Sequence, residues 1–328
     1  MRLLFSSDWH LAERPPLARA PSYCEDIFAK LAEVRELAAT VDLSILGGDL
    51  LHWPRSNETP HRLVRQLIEF LREWPGDLYT LVGQHDQGSE GLDSIGRQPI
   101  GVVFEALRDG PLRWLNEDLV IEKGGVLLQL SPANWCPSIE EHPEHLALDR
   151  GRLGTIEPDF AIKVAHAMVL RGEGGYPFPA IAMEQVPTHG MDLFLMGDVH
   201  WRTKPQKVNG CWFAGPGSVA RTSRSAGELE RQPSVLIVTL EKGKEPAFEE
   251  VPLRSARPGK EVFAWSENLR ALENSQLFAG YVTALETGLS LEHLSLDEIL
   301  RSLEEKADPE VVKMAREYLA RASGVPSV

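Results

Sequence analysis

The sequence predicts an α/β fold built on a mixed sheet or a two-sheet sandwich. Three observations carry that reading. Short apolar runs alternate with amphipathic helical stripes early in the chain, strand-like runs follow one another later, and most early runs end abruptly in glycine and polar residues. The 328 residues allow about two domains at ~150 residues each. The pattern changes at Arg257-Pro258-Gly259-Lys260, which separates a first domain (1–254) from a C-terminal region (255–328).

Arg2–Ser7 reads as a buried strand. Ser22-Tyr23-Cys24-Glu25 has the form of a capping box, and Ile27, Leu31, Val34 and Ala38 follow at helical spacing. Asp42–Leu46 is a second strand. Thr59 as N-cap and Pro60 in the first turn open a helix with Leu63, Leu67, Ile68 and Leu71 as its stripe, closed by Pro75-Gly76. Asp77–Val82 is a third strand. Val126–Leu130, Ala161–Ala165, Leu193–Met196, Trp212–Ala214 and Val235–Leu240 are further strands, and the Gly/Pro-rich 172–187 stretch is a loop. Beyond 255, Ser295-Leu296-Asp297-Glu298 and Asp308-Pro309 start two helices, with stripes through Leu296, Ile299, Leu300 and Leu303, then Val311, Ala315, Tyr318 and Leu319.

Apolar residues make up 43% and charged residues 25%, which excludes wholesale disorder. The net charge of −14 argues against a stand-alone nucleic-acid binder with a basic face. Cys24, Cys136 and Cys211 are isolated, and none falls in a ligand cluster, so they point to a reducing cytosol and no catalytic thiol. No run reaches the ~20 apolar residues of a membrane span, and the N-terminal apolar run is interrupted by Asp8, so a cytoplasmic protein off the membrane is expected.

The chemistry lies just past the strands. Leu3–Ser7 leads into Asp8-Trp9-His10, Leu43–Leu46 into Gly47-Gly48-Asp49, Tyr79–Val82 into Gly83-Gln84-His85-Asp86, Ile162–Ala165 into His166, and Phe194–Met196 into Gly197-Asp198-Val199-His200. A strand end holds a ligand rigidly and leaves it open to solvent. Asp-x-His, twice, puts two donors on one side of an extended segment. Carboxylate, amide and imidazole donors together suit Mn²⁺, Fe or Zn²⁺.

This order of Asp-x-His, Gly-Asp, Gly-Gln-His-Asp, His and Gly-Asp-x-His resembles the calcineurin-like metallophosphoesterase family, whose pattern is D-x-H, G-D, G-N-H-D, H, G-H-x-H. Asp49-Leu50-Leu51-His52 further resembles the G-D-L-F-H segment of the SbcD-type double-strand-break repair nucleases, and Ala214–Arg221 (A-G-P-G-S-V-A-R) resembles their P-G-S-x-x-R turn. The resemblance covers roughly residues 1–250. It implies a two-sheet metallophosphoesterase sandwich flanked by helices, with a small C-terminal α or α+β region.

The resemblance also implies roles. Asp8, His10 and His200 would bind one divalent ion and Asp49 would bridge to a second held by Gln84, His166 and Asp198. The pair, Mn²⁺ first and Mg²⁺, Fe or Zn²⁺ next, would activate water for in-line attack on a DNA phosphodiester. His85 would serve the leaving oxygen, Asp86 would orient His85, and His52 would position the phosphate or leaving strand. The family Asn and first His are replaced by Gln84 and Asp198. That gives either a harder, more anionic second site favouring Mn²⁺ or Mg²⁺, or a weakened one.

Arg202, Lys204, Lys207, Arg221 and Arg224 are candidate DNA-phosphate contacts, with a solvated basic face as the alternative. Trp9 and Trp53 are expected to wall the pocket, with stacking of a base as the alternative, and Glu140–His145 to start a solvated helix. The resemblance extends to partners: an SbcC-type ATPase bound through the C-terminal helices, and a homodimer formed through 22–40 and 60–74. The expected function is therefore a metal-dependent DNA nuclease of repair or end processing. A phosphodiesterase or phosphatase on small nucleotides or phosphoproteins is one alternative, and a degenerate scaffold that does not cleave is the other.

Overall fold

A computed structural model describes residues 1–263 except 17, 88–90, 149–156 and 173–177. The described residues form one compact unit, Met1–Phe263. The helices expected around 295–303 and 308–319 lie outside the described residues.

Two six-stranded sheets stack face to face. The first contains β1 (Arg2–Ser6), β2 (Leu43–Leu46), β3 (Leu78–Thr80) and β4 (Leu112–Trp114) in parallel. On the other side of β1 lie β13 (Ser234–Thr239) and β14 (Ala247–Pro252), both antiparallel to their neighbours. The second sheet is built on β6 (Val126–Ala133), β7 (Phe160–His166), β10 (Leu193–Gly197) and β12 (Cys211–Gly215), all parallel. Its edges are antiparallel: β5 (Leu119–Lys123) and β11 (Thr203–Val208). Two short parallel strands, β8 (Val169–Leu170) and β9 (Ile181–Ala182), stand apart.

The period of two along each strand decides which side chains meet. On β1, Leu3 and Phe5 point between the sheets, against Leu128, Leu130, Ile162, Val164, Leu193 and Leu195. Leu4 points the other way, beneath the helix layer. There, α1 (Tyr23–Ala38) contributes Ile27, Leu31 and Val34, and α2 (His61–Arg72) contributes Leu63, Leu67 and Leu71. A third apolar cluster covers the outer face of the second sheet through Phe194, Phe213, Met183 and Val199. The central strands are buried on both faces, which is why they read as unbroken apolar runs.

Several local expectations need correction. The second helix starts at His61 rather than at Thr59. Pro60 holds an extended backbone (φ −63°, ψ 145°), and the Thr59 hydroxyl donates to the Trp53 carbonyl oxygen at 2.6 Å instead of capping. Ser22 precedes α1, but its hydroxyl donates to Asp26 Oδ2 at 3.1 Å and caps no backbone N–H. The stretch read as a loop over 172–187 contains β9. Residues 254–263 pack on the first domain: Glu33 accepts from the N–H groups of Arg254 and Ser255 at 3.0 and 2.8 Å, and Phe263 bridges to Arg19. No helix among the described residues is long and apolar enough to cross a membrane.

Candidate metal centre

All five ligand-bearing segments leave the carboxyl ends of parallel strands, where open α/β sheets place their ligands. Asp8 and His10 follow β1, Asp49 follows β2, Gln84 and His85 follow β3 in a short helical turn, α3 (Gln84–Gln87), His166 ends β7, and Asp198 and His200 follow β10. The segments after β1 and β2 stay zipped together. Asp8 N–H donates to the Gly48 carbonyl oxygen at 3.2 Å and His10 N–H to that of Asp49 at 2.9 Å. The Tyr23 hydroxyl at the start of α1 donates to the His10 carbonyl oxygen at 2.8 Å.

The backbone is strained where the ligands sit. Six non-glycine residues among those described have left-handed φ, and four of them are Asp8 (54°), His10 (44°), Asp49 (52°) and Asp198 (67°). Each such residue costs about 1–3 kcal/mol, so the surrounding hydrogen bonds must hold it there. Two glycines permit the approach. A Cβ on Gly83 would overlap Asp49 Oδ1 and His166 Nε2, and one on Gly48, itself at φ 102°, would overlap the His166 ring.

The side chains converge. His10 Nε2 lies 3.1 Å from His200 Nε2, 3.9 Å from Asp8 Oδ1 and 3.7 Å from Asp49 Oδ2. His200 Nε2 lies 3.7 Å from Asp8 Oδ1. On the other side of Asp49, His166 Nε2 is 3.4 Å from Asp49 Oδ2, 3.8 Å from Asp198 Oδ1 and 2.8 Å from Gln84 Oε1. Gln84 Nε2 donates to Asp198 Oδ1 at 2.8 Å. All seven expected ligands therefore face one centre, and Asp49 Oδ2 lies between the two groups.

Those residues fit a pair of cations. Both Asp8 oxygens and Asp49 Oδ2 are buried with no hydrogen-bond partner. An unpaired buried carboxylate oxygen is costly, and a cation relieves that cost. Asp49 Oδ1, in contrast, accepts from His85 N–H at 2.9 Å, which fixes the carboxylate so that Oδ2 faces the centre. The donor set of carboxylates, one amide and imidazoles suits Mn²⁺, Mg²⁺, Fe or Zn²⁺.

Burial and mutual charge set the protonation of the metal-free site. Burial pushes His10 well below its ordinary value. Burial, then the neighbouring His85, pushes His52 down to about 3. Burial raises Asp8, although His200 and His166 oppose it. Asp49 goes the other way: burial would raise it, but His166 and His85 hold it below the carboxylate range. His166 is raised well above the usual imidazole value, because Asp49, Asp198 and Asp8 outweigh its burial.

The supporting residues differ from the expectation at three places. Asp86 does not contact His85. Its buried carboxylate accepts from the N–H groups of Leu50, Leu51 and Gly83 at 3.2, 2.9 and 3.1 Å, and so pins together the loops that carry Asp49 and Gln84. Burial and the nearby Asp49 push Asp86 up to about 7. The His85 ring is instead oriented by the His52 carbonyl oxygen, 2.9 Å from His85 Nδ1. His52 is only 8% exposed; its Nδ1 is 3.3 Å from His10 Nδ1 and its ring stacks on that of His85 at 5.0 Å, so it stands behind those two rings.

Arg221 is likewise corrected as a DNA contact. It is 3% exposed, and its Nη2 donates to the Arg257 carbonyl oxygen at 2.8 Å. Arg202 pairs with Glu250, Lys207 with Glu245, and Arg224 is half-buried. Lys204 is exposed on β11. Trp9 is fully buried against Trp74 and belongs to the core, whereas Trp53 packs on His52.

Two supports were missed. Glu140, read as part of a solvated helix, accepts from Met168 N–H and is raised by burial and by Asp198. Lys30, buried on α1, donates to the Val219 carbonyl oxygen in the 216–221 turn. That turn braces the centre: Val219 and Ala220 donate backbone N–H bonds to the Ser7 and Asp8 carbonyl oxygens, and the Ser218 hydroxyl donates to that of Asp8. Lys30 falls on the apolar stripe, three residues after Ile27 and four before Val34, which was the available signal.

Comparison with known proteins adds a family. The calcineurin-like phosphoesterase family matches residues 1–202. No curated protein matches. Among solved structures, the chain is similar to a putative 5'-nucleotidase from Staphylococcus aureus at 12% identity and TM-score 0.43, covering 84% of this chain and 57% of that one. It is similar to the sulfate thiohydrolase SoxB of Thermus thermophilus at 16% and 0.44, covering 85% and 60%. It is similar to an archaeal phosphodiesterase at 11% and 0.38, covering 77% and 100%. The chain thus spans less than two thirds of the first two.

Proposed function

The chain belongs to the calcineurin-like phosphoesterase family, and from that premise we propose that it is a two-metal phosphodiesterase acting on DNA, of the SbcD type. The observation that carries the hydrolase reading is the three orphaned, buried carboxylate oxygens, both of Asp8 and Oδ2 of Asp49, ringed by His10, His166 and His200. The DNA reading is supported by the resemblance of the Asp49–His52 segment and of the Ala214–Arg221 turn to SbcD-type nucleases.

Asp8, His10, His200 and Asp49 would hold one divalent ion, and Asp49, Gln84, His166 and Asp198 the other. When bound, the ions supply Lewis acidity, lowering the pKa of water and neutralising charge that grows on the phosphoryl oxygens. The chain's own residues set the geometry. His166 Nδ1 lies 2.6 Å from the Gly47 carbonyl oxygen, so Nδ1–H donates there and Nε2 faces the centre. Neutral His52 and His10 share a proton across Nδ1···Nδ1, which leaves His10 Nε2 as the donor atom. His85 is half-buried at the mouth of the site, and its Nδ1–H is taken by the His52 carbonyl oxygen. Its Nε2 then faces the leaving oxygen, to which the doubly protonated ring would give the Nε2 proton.

A homodimer through the faces of α1 and α2, and an SbcC-type ATPase bound by residues beyond 263, belong to the same proposal. Mn²⁺-supported cleavage of DNA ends, set against a panel of small phosphodiesters and phosphomonoesters, tests it. The His85→Ala variant should lose about 10²–10⁴-fold of the DNA cleavage rate. Turnover of small phosphodiesters with intact DNA would replace the DNA reading by the small-nucleotide one. Undiminished cleavage by the variant would remove His85 from the mechanism.

A further inference from the structure

We propose that the cleft beside His200 is a stacking subsite for one unpaired base of a nucleic-acid strand, with Trp201 as its platform and Lys204 and Arg171 facing the flanking phosphates. The proposal rests on the phosphodiesterase reading and extends it to substrate form: a single strand with an unstacked base.

The cleft has a volume of about 320 Å³. Its two walls leave the metal centre directly. One is Leu170-Arg171 on and after β8, just past His166; the other runs from Trp201 to Gln206, just past His200. A strand whose scissile phosphate sat on the ions would therefore have its neighbouring nucleotide at this cleft. The volume lies at the low end of the range for small-molecule pockets, room for one ring system rather than for a folded ligand.

Trp201 is 48% exposed, and no aromatic ring or cation stacks on it among the described residues. By contrast, Trp9 and Trp74 are buried in the core. Met183 and Leu170, both buried, give the cleft an apolar floor beside the indole. An open indole over an apolar floor suits the flat face of a heterocycle.

Charge separates a nucleotide from other flat ligands. The lining contains Arg171, Arg202 and Lys204 and no carboxylate. Three other clefts among the described residues each include at least one Glu. Arg202 is neutralised by Glu250, but Arg171 bonds only the neutral Gln206 side chain, at 2.8 Å, and Lys204 has no ion pair among the described residues. Two uncompensated cations flanking an exposed indole, on a chain of net charge −14, select an anion that carries a planar ring. The one amide in the lining, Gln206, gives its side-chain oxygen to Arg171. A base must be unstacked to lie on Trp201, which selects single strands over duplexes.

Fluorescence anisotropy on the full chain with Mn²⁺, in the His85→Ala background that keeps the strand intact, tests this. The two probes are an oligo-dT and an abasic oligomer of the same length. Oligo-dT should bind about tenfold more tightly than the abasic strand. Adding Trp201→Ala should erase that preference, and Trp201→Phe should restore most of it. Lys204→Glu should weaken both strands alike and flatten the salt dependence. A base preference that survives Trp201→Ala, or equal binding of the two probes to the starting protein, overturns the subsite. So does mononucleotide dTMP binding as tightly as the oligomer, which would make the ligand a free nucleotide. Trp201-dependent base preference in a protein that does not cut DNA sinks the nuclease reading and keeps the subsite. DNA cutting without that preference does the reverse.

Discussion

The centre depends on a few residues whose chemistry is local. The seven residues that face the centre were legible in the sequence because each lies at or just past the end of a buried strand, and a strand end fixes where the next two or three side chains go. Their supports were less so: Asp86 was singled out but for the wrong partner, and Glu140 acts through a contact with distant chain, the Met168 N–H. His52 shows the distinction: the motif drew attention to it, but only the fold shows that it presses on His10 rather than opening to solvent. Replacing it with alanine removes the partner of His10 Nδ1. Manganese affinity should fall about 10–100-fold, read by calorimetry; unchanged affinity would show that His10 needs no such partner. Gly83→Ala tests the close approach. Its methyl would displace Asp49 or His166, so at least one ion should be lost while circular dichroism stays that of the parent. Full ion binding by that variant would mean the loop can yield.

At the scale of elements, the longer buried strands of the two sheets announced themselves; the edge strands and the two-residue strands β8 and β9 did not. β5, β11 and β14 hold only half-exposed and exposed positions at sheet edges, and no apolar run in them exceeds Leu119-Val120-Ile121. α1 carries the less visible device. Lys30, 4% exposed, sits among Arg19, Arg221 and Arg231 and ties α1 to the turn that braces Asp8. Burial, then those three cations, push its ammonium well below the lysine range. The sign follows. Between its folded and unfolded values the unfolded chain binds the extra proton, so folding stability rises with pH. Each pH unit in that window contributes up to about 1.4 kcal/mol. Relative to Lys30→Met, the parent should therefore gain stability in urea denaturation as pH rises toward the ordinary lysine range. Parallel behaviour of the two proteins would mean that Lys30 stays charged in the fold. In the same experiment Lys30→Met should bind manganese more weakly, because the turn holding the Asp8 carbonyl loses its anchor.

The chain carries a net charge of −14, and among its described residues a small cationic cleft lies beside the centre. Of the candidate DNA contacts, Arg221 is buried and Arg202 and Lys207 are paired with glutamates. Few phosphates can be neutralised, and each contributes about 0.9 to the salt slope. The isolated chain should then bind duplex DNA weakly, with a slope no steeper than about −3 in a log–log salt titration. A tight complex with a much steeper slope would mean that the grip comes from residues beyond 263, and would remove the need for a partner to supply it. The central claim is narrower than any of this: segments far apart in the chain meet to hold two cations at the shared Asp49 carboxylate. Calorimetric titration of Mn²⁺ into metal-free protein tests it most directly. Two ions per chain are expected, with both events weakened together by Asp49→Asn. A stoichiometry of one, or an Asp49→Asn protein that still binds two ions as the parent does, would contradict it.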